Sequence, residues 1–264
     1  MLILCGGKGL RMKEFTADSP KPMALVDKKP LLWHIMKLFC YYGYNDFILL
    51  LGYKSEVIKE YFMDYVWKKS SFILDNINGT TDIQLLENTE PWRITFLETG
   101  EDTMTGGRVK QAEAYIGQDD CFLTYGDGIA DIDINKLYEF HKTKGKLATV
   151  TGIQKDSQYG FINIDDDIAA SFTEKPKLDG IINGGFFVLS REAFKYIDDN
   201  RDCILERQPL NRLVDDRQLA VYQHKGYWAA ADTMKDLEVI EQELKSNRPF
   251  WYGKSKYLMS LVKE

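Results

Sequence analysis

Short apolar segments alternate with segments of helical periodicity over residues 1–153, and this alternation constrains the fold more than any other feature. The strand-like segments are rich in β-forming residues and cover 47–51, 94–97, 121–125 and 148–153. The segments between them carry apolar residues at three- or four-residue spacing, at 31–42, 56–66, 108–116 and 134–144. Such alternation predicts an α/β fold with a mostly parallel central sheet. Ligands of such sheets bind beyond the carboxyl ends of the strands.

The second half of the chain has a different pattern. Three strand-like segments, at 161–164, 170–172 and 181–189, are separated by turn residues and predict an antiparallel insertion. The irregular stretch at about 70–91 predicts a hairpin excursion, and residues 234–264 predict a helical and aromatic tail. Because no linker or repeat interrupts the sequence, we expect one domain over residues 1–264.

Composition excludes several classes of protein. The net charge of −6, from 34 basic and 40 acidic residues, argues against a nucleic-acid partner. No apolar run approaches the ~20 residues that a membrane span requires, so we expect no membrane partner. The four cysteines are widely spaced without a Cys-x-x-Cys motif, which is typical of buried thiols in a reducing compartment. These observations predict a cytoplasmic protein.

A glycine-rich turn follows directly after the first apolar segment. Residues 2–5 are apolar, and glycines stand at positions 6, 7 and 9, followed by Arg11 and Lys21. Such a turn exposes backbone N–H groups that suit phosphate oxygens, although an ordinary βα connection has the same local pattern. The spacing fits neither a P-loop nor a dinucleotide fingerprint. Pro20 and Pro22 restrict the backbone around Lys21, which we expect to be an exposed, directed cation.

Two aspartates are candidate ligands of a hard cation, and each has a second interpretation. Asp127 follows an apolar strand and stands between Gly126 and Gly128, so it is either a metal ligand or part of an Asp-Gly turn. Asp232 precedes Thr233 and a predicted helix, so its position is that of a helix N-cap, and only the family resemblance described below makes it a metal ligand.

Other motifs also leave alternatives open. Arg108 follows Gly106-Gly107 and would lie on the solvent face of a helix if it had no ligand. The segment 183–185 is either a strand bulge or a ligand contact, and 174–176 is a candidate surface turn. The three histidines have no metal-ligand spacing, and His34 has the surroundings of a packed side chain.

Taken together, the motifs resemble the sugar-phosphate nucleotidyltransferases. The resemblance covers nearly the whole chain. It is carried by these segments: Gly6-Gly7-Lys8-Gly9-Leu10-Arg11, Pro20-Lys21-Pro22, Leu32-Trp33-His34-Ile35-Met36, Gly52-Tyr53-Lys54, Glu90-Pro91-Trp92, Thr99-Gly100, Met104-Thr105-Gly106-Gly107-Arg108, Thr124-Tyr125-Gly126-Asp127-Gly128, Glu174-Lys175-Pro176, Asn183-Gly184-Gly185-Phe186-Phe187 and Asp232-Thr233. It implies a Rossmann-like nucleotidyltransferase fold, and Mg²⁺ held by Asp127 and Asp232.

The resemblance also implies roles for individual residues. Arg11 and Lys21 would be catalytic. Glu174, Lys175, Asn183 and Gly184 would bind the sugar phosphate. The nucleotide would meet Leu4, Gly6, Gly7, Lys8, Gly9, Leu10, Arg11, Lys21, Thr103, Arg108 and Gly126.

Within that family, the segments at 104–108 and 125–128 are similar to those of the members that join CTP to glucose 1-phosphate. The resemblance therefore implies these two small molecules as substrates, and a homo-oligomer. One position departs from the family pattern, because Leu10 stands where a threonine is usual before the loop arginine. Two alternatives remain: the same chemistry on another pair of nucleotide and sugar phosphate, and a catalytically silent homologue that only binds sugar nucleotide.

Overall fold

A seven-stranded sheet forms the centre of the protein in a computed structural model. The structure describes residues 1–9, 12, 17–65, 71–77, 81–86, 90–155, 161–165, 168–173, 180–247 and 249–252. The strands of the central sheet are β1 (Leu2–Leu4), β4 (Asp46–Leu51), β7 (Arg93–Glu98), β8 (Cys121–Tyr125), β10 (Ala148–Ile153), β13 (Ile182–Leu189) and β14 (Leu219–His224). The other strands form hairpins and short pairs: β2 (Leu25–Val26), β3 (Lys29–Pro30), β5 (Phe72–Asp75), β6 (Asp82–Leu85), β9 (Gly128–Ala130), β11 (Phe161–Asp165), β12 (Ile168–Thr173) and β15 (Trp228–Ala230).

The central sheet is mostly parallel, as the βα alternation predicts. Its strand order is β14-β10-β13-β8-β1-β4-β7. β8, β1, β4 and β7 pair in parallel, and so do β10 and β14. β13 is antiparallel to both of its neighbours and is the one reversed strand of this sheet. The carboxyl ends of the other strands therefore meet along one edge, which is where a ligand is expected.

Except for the helix Gln208–Asp215, which was not predicted, the helices lie near the predicted places. They are α1 (Leu31–Tyr41), α2 (Ser55–Tyr65), α3 (Thr105–Gln111), α4 (Ile134–Lys144), α5 (Gln208–Asp215) and α6 (Met234–Ser246). The main difference is α3, which begins three residues before the predicted 108 and passes into a 3₁₀ turn at Ala112–Tyr115. Gly106 and Gly107 have low helix propensity and no apolar side chain, so the apolar periodicity of the sequence did not reveal this start.

Alternate side chains of β1 enter two cores, one on each face of the sheet. Leu2 and Leu4 pack in one buried cluster, and Ile3 and Cys5 pack in the other. This two-sided burial explains why the parallel strands read as continuous apolar runs. α1 covers the second face, where the ring of Phe39 stacks on that of Phe186.

The antiparallel insertion is smaller than the sequence pattern indicates. β11 and β12 pair as the predicted hairpin. The third predicted strand, at 181–189, does not belong to that insertion, since β13 occupies the middle of the central sheet. Its apolar run belongs to a doubly covered strand, which periodicity does not distinguish from an insertion strand. Residues 70–91 contain the hairpin of β5 and β6.

Across the described part of the chain, no helix is long and apolar enough to cross a bilayer.

Candidate active site

A cleft of about 560 Å³ opens at the carboxyl ends of β1 and β8. Every predicted nucleotide or metal residue that the structure describes lines it: Leu4, Gly6, Gly7, Lys8, Gly9, Lys21, Thr103, Arg108, Gly126, Asp127 and Asp232. The lining also includes Cys5, Pro22, Glu101, Asp102, Met104, Thr105 and Tyr125. The parallel sheet thus brings together motifs that lie up to 228 positions apart, from Leu4 to Asp232.

A buried lysine joins two carboxylates on the floor of the cleft. Lys21 Nζ lies 2.9 Å from Asp232 Oδ1 and 3.4 Å from Asp127 Oδ2. The lysine side chain is only 11% exposed, whereas the aspartates are 41% and 32% exposed. The expectation of an exposed lysine is therefore wrong. The short 3₁₀ turn Lys21–Met23 packs against the turn after β8, where a side chain on Gly126 would meet the ring of Pro22.

The N-cap interpretation of Asp232 is wrong. Thr233 caps α6, because its hydroxyl accepts a hydrogen bond from the backbone N–H of Asp236. The Asp236 carboxylate accepts in return from the Thr233 N–H at 2.8 Å, which completes a capping box. The Asp232 carboxylate instead faces Lys21 in the cleft. The local pattern Asp-Thr-x-x-Asp contains two possible caps, and sequence alone does not choose between them.

The two aspartates provide oxygen ligands of the kind that a divalent cation prefers. Burial raises the pKa of Asp127, and the Lys21 ammonium partly opposes that shift. Lys21 already places one positive charge within 3.4 Å of both carboxylates, which offsets part of their negative charge. Among the described residues, no group of three His, Cys, Asp or Glu side chains gathers around one point. Beyond Asp127 and Asp232, a metal here would need further ligands.

Arg108 is buried beneath the glycine-rich turn, so the solvent-face interpretation is wrong. Its guanidinium donates to the backbone oxygens of Gly6 (2.9 Å), Leu51 (2.8 Å) and Glu101 (3.1 Å), and to Thr99 Oγ1 (2.6 Å). A Cβ on Gly6 would lie 2.1 Å from this guanidinium, so the first glycine of the turn is required by close approach. Arg108 thereby connects the glycine-rich turn to the ends of β4 and β7.

The start of α3 rests on a loop from the second half of the chain. The backbone N–H of Met104 donates to Arg201 O at 2.7 Å, and that of Gly107 donates to Cys203 O at 3.1 Å. A Cβ on Gly106 would lie 2.9 Å from Cys203 O, so the loop backbone replaces a side chain there. The glycine pair that resembles a nucleotide motif therefore also has a packing function within the protein. Sequence reasoning missed the whole loop, because nothing local marks its contact with α3.

Two acidic residues of the cleft lining pair with a lysine of the glycine-rich turn. Lys8, in the glycine-rich turn, donates to Asp102 Oδ1 at 2.7 Å and lies 3.7 Å from Glu101 Oε1. Next to them, the Thr103 hydroxyl donates to Thr99 O at 2.6 Å and is buried. The hydrogen bond to Asp102 raises the pKa of Lys8 and lowers that of the aspartate. Lys8 is thus held against Glu101 and Asp102 in the cleft lining.

Asn183 and Gly184, the two predicted sugar-phosphate residues that the structure describes, lie on β13 outside the cleft lining. Asn183 is exposed on β13, its Oδ1 accepts from the Gly185 N–H at 2.8 Å, and its Nδ2 is 3.4 Å from Tyr125 Oη. Trp228 Nε1 donates to Gly184 O at 2.7 Å and anchors this part of β13. Leu10, Arg11, Glu174 and Lys175 lie outside the described residues.

The histidines lie outside the cleft lining, in agreement with the sequence interpretation. His34 is completely buried in α1, with Nε2 2.9 Å from Val26 O. Burial lowers its pKa to about 4, so it is neutral at physiological pH.

Comparisons with known proteins place the chain in a family. A family model described as nucleotidyl transferase matches residues 1–247. The chain is 52% identical over 250 residues to a probable glucose-1-phosphate cytidylyltransferase of Bacillus subtilis, covering 95% of this chain and 98% of that protein. It is 40% identical over 252 residues to glucose-1-phosphate cytidylyltransferase of Salmonella typhi, covering 95% and 97%.

A solved structure agrees with the fold. The crystal structure of HddC from Yersinia pseudotuberculosis superposes with a TM-score of 0.65 at 25% identity, covering 92% of this chain and 98% of that chain. The predicted Rossmann-like α/β fold is therefore confirmed, and the chain belongs to the nucleotidyl transferase family.

Proposed function

We propose that the protein is a glucose-1-phosphate cytidylyltransferase, which converts CTP and α-D-glucose 1-phosphate to CDP-glucose and diphosphate. One observation carries this proposal: Lys21, Asp127 and Asp232 meet beneath the glycine-rich turn, in a cleft with room for a nucleotide. The 40% and 52% identical relatives bear this enzyme name and match over nearly their whole length.

The chemistry requires positioning and charge neutralisation more than a general base. A sugar phosphate with a second pKa near ~6 is mostly dianionic at neutral pH, so its oxygen can attack the α-phosphorus of CTP directly. The glycine-rich turn would bind the phosphates through its backbone N–H groups, and Lys21 would offset the charge that develops at the α-phosphorus. Arg11 would hold the leaving diphosphate, a role that stays a prediction from the sequence.

Asp127 and Asp232 would hold a divalent cation, which we propose to be Mg²⁺. When bound, it supplies Lewis-acid neutralisation of phosphate charge. The carboxylates fit that role because both are oxygen donors that already share a cation, Lys21. Glu174, Lys175, Asn183 and Gly184 would position the sugar phosphate on the other side of the reacting centre.

A matrix assay tests the substrate assignment. Diphosphate release is measured for five nucleoside triphosphates against several sugar 1-phosphates, with and without chelator. We expect CTP with glucose 1-phosphate to have the highest kcat/KM, and chelator to abolish turnover until Mg²⁺ is added. A clear preference for UTP, dTTP or GTP would replace the cytidylyl assignment within the same family.

Leu10 motivates the second candidate, a silent homologue that binds sugar nucleotide without turnover. A lost hydroxyl contact to phosphate is worth roughly 0.5–1.5 kcal/mol, which weakens CTP binding by about tenfold at most. We therefore expect wild-type turnover and a small effect of Leu10→Thr on the KM for CTP. An inactive wild type that gains turnover in Leu10→Thr would support the silent homologue.

We further propose a cytoplasmic location and a homo-oligomer. All four cysteines are buried free thiols, which supports a reducing compartment. The hairpin of β5 and β6 exposes Phe72, Ile73, Leu74 and Ile83, and an isolated two-stranded hairpin is only marginally stable. Light scattering after size-exclusion chromatography tests the oligomer, and a monomeric mass would exclude it.

A further inference from the structure

A partly buried carboxylate, Glu206, connects the two sides of the cleft. Its Oε2 accepts a hydrogen bond from Thr105 Oγ1 at 2.6 Å, at the start of α3. Its Oε1 accepts from the hydroxyl of Tyr125, at the end of β8. Thr105 and Tyr125 both line the cleft, whereas Glu206 lies behind them in the segment before α5.

The network continues to both predicted ligand groups. On one side, Thr105 Oγ1 also accepts a hydrogen bond from the Leu205 N–H at 3.0 Å, and it donates its one proton to Glu206. Since α3 begins at Thr105, this contact anchors the helix that follows Thr103 and carries Arg108. On the other side, the Tyr125 hydroxyl accepts from Asn183 Nδ2 at 3.4 Å.

The directions of these hydrogen bonds require an acceptor at position 206. Both hydroxyls donate to Glu206, and each already accepts a hydrogen bond from another group. A charged acceptor in a partly dehydrated place makes such bonds stronger than neutral ones. Burial and the Glu206 charge both raise the pKa of Tyr125, so its phenol keeps the proton that it donates.

We propose that Glu206 is a positioning residue that fixes the nucleotide side and the sugar side of the cleft relative to each other, through Thr105 and Tyr125. The ligands in question, CTP and a sugar 1-phosphate, rest on the proposed function. Glu206 itself contacts neither reacting group, so it acts only through its two hydroxyl partners.

Three variants separate the two branches. Tyr125→Phe removes the Asn183 contact, so we expect the KM for sugar phosphate to rise about tenfold while the KM for CTP changes less than about twofold. Thr105→Val removes the contact between α3 and Glu206, so we expect the KM for CTP to rise about tenfold while the KM for sugar phosphate changes less than about twofold. The amide of Glu206→Gln has one acceptor oxygen where the carboxylate has two, so it cannot accept from both hydroxyls in the same way. We expect both KM values to rise and kcat to change less than about threefold.

Non-additivity distinguishes positioning from simple stabilisation. In the double variant Tyr125→Phe with Glu206→Gln, the KM for sugar phosphate should match that of Tyr125→Phe alone, because the branch is already broken. Glu192→Gln removes an exposed carboxylate from the short helix Arg191–Tyr196 and serves as the matched control, with both KM values unchanged. Urea unfolding of every variant shows that the compared proteins are folded.

The proposal is overturned if Glu206→Gln lowers only the unfolding midpoint, or if the effects of the double variant on KM multiply. The proposed function is tested separately by wild-type turnover. If the wild type prefers another nucleotide or sugar phosphate, the same five variants are compared with that pair.

Discussion

Lys21 and Asp232 form an ion pair across 211 positions of sequence, with Nζ 2.9 Å from Oδ1. The ammonium also lies 3.4 Å from Asp127 Oδ2, so one positive charge partly neutralises two carboxylates. A divalent cation bound by the same carboxylates would take over this neutralisation and release Lys21 toward phosphate.

Lys21→Ala should lower kcat by about 10²–10³, as expected for one preorganised charge at a reacting centre. It should also lower the free energy of unfolding by about 1 kcal/mol, because removal of the buried ammonium leaves two partly exposed carboxylates facing each other. Steady-state kinetics and urea titration measure the two effects. Lys235→Ala, at an exposed position on α6, is the control and should change neither. Unchanged turnover in Lys21→Ala would remove this residue from the active site.

Asp232→Asn and Thr233→Ala alter neighbouring residues but should affect different properties, turnover in the first variant and stability in the second. Asp232→Asn should reduce turnover and weaken Mn²⁺ binding, measured by calorimetry with CTP present, with little loss of stability. Thr233→Ala removes the cap of α6 and should cost about 1 kcal/mol of stability with turnover retained. If Asp232→Asn were the unstable and active variant, the assignment of cap and ligand would have to be exchanged.

Acid should destabilise the protein in part through His34. The pKa of His34 is lowered to about 4 in the folded state, from 6.5, so the unfolded chain binds more protons between these values. Stability from this residue is complete above pH 6.5 and is lost as the pH falls toward 4, by at most about 3 kcal/mol. His34→Gln keeps a donor for Val26 O and should show a smaller decline in unfolding free energy between pH 7.5 and 5. An identical decline in both proteins would contradict this.

Arg108→Lys should remove hydrogen bonds that hold the glycine-rich turn in place. A lysine is a single charged centre and cannot reach all four oxygens that the guanidinium binds. We expect an unfolding free energy lower by about 2–4 kcal/mol, because buried acceptors lose their donor, and a higher KM for CTP. Differential scanning calorimetry and initial rates measure both. Wild-type values for both would show that the glycine-rich turn is held by other contacts.

The parts that the sequence predicts well depend on local pattern. The strand before Gly6 and the turn around Asp127 are each encoded within a few residues, and the parallel sheet then brings them to one edge. The burial of Lys21 was not predictable, because it depends on Pro22 packing against the distant Gly126. The support of α3 by residues 200–203 was equally hidden, since glycine pairs carry no information about which backbone approaches them.

The position of β13 has a consequence for biosynthesis. β10 enters the central sheet only through β13 and β14, and both of these strands follow it in the chain. When β10 leaves the ribosome, the two strands that pair with it have not yet been synthesised. β10 ends at Ile153 and β13 ends at Leu189, so β13 is complete only 36 residues later. At typical rates of synthesis this is a wait of about 2–7 s, during which this apolar strand has no hydrogen-bonded strand beside it. The nascent chain therefore passes through an interval in which a chaperone has a defined segment to shield, residues 148–153.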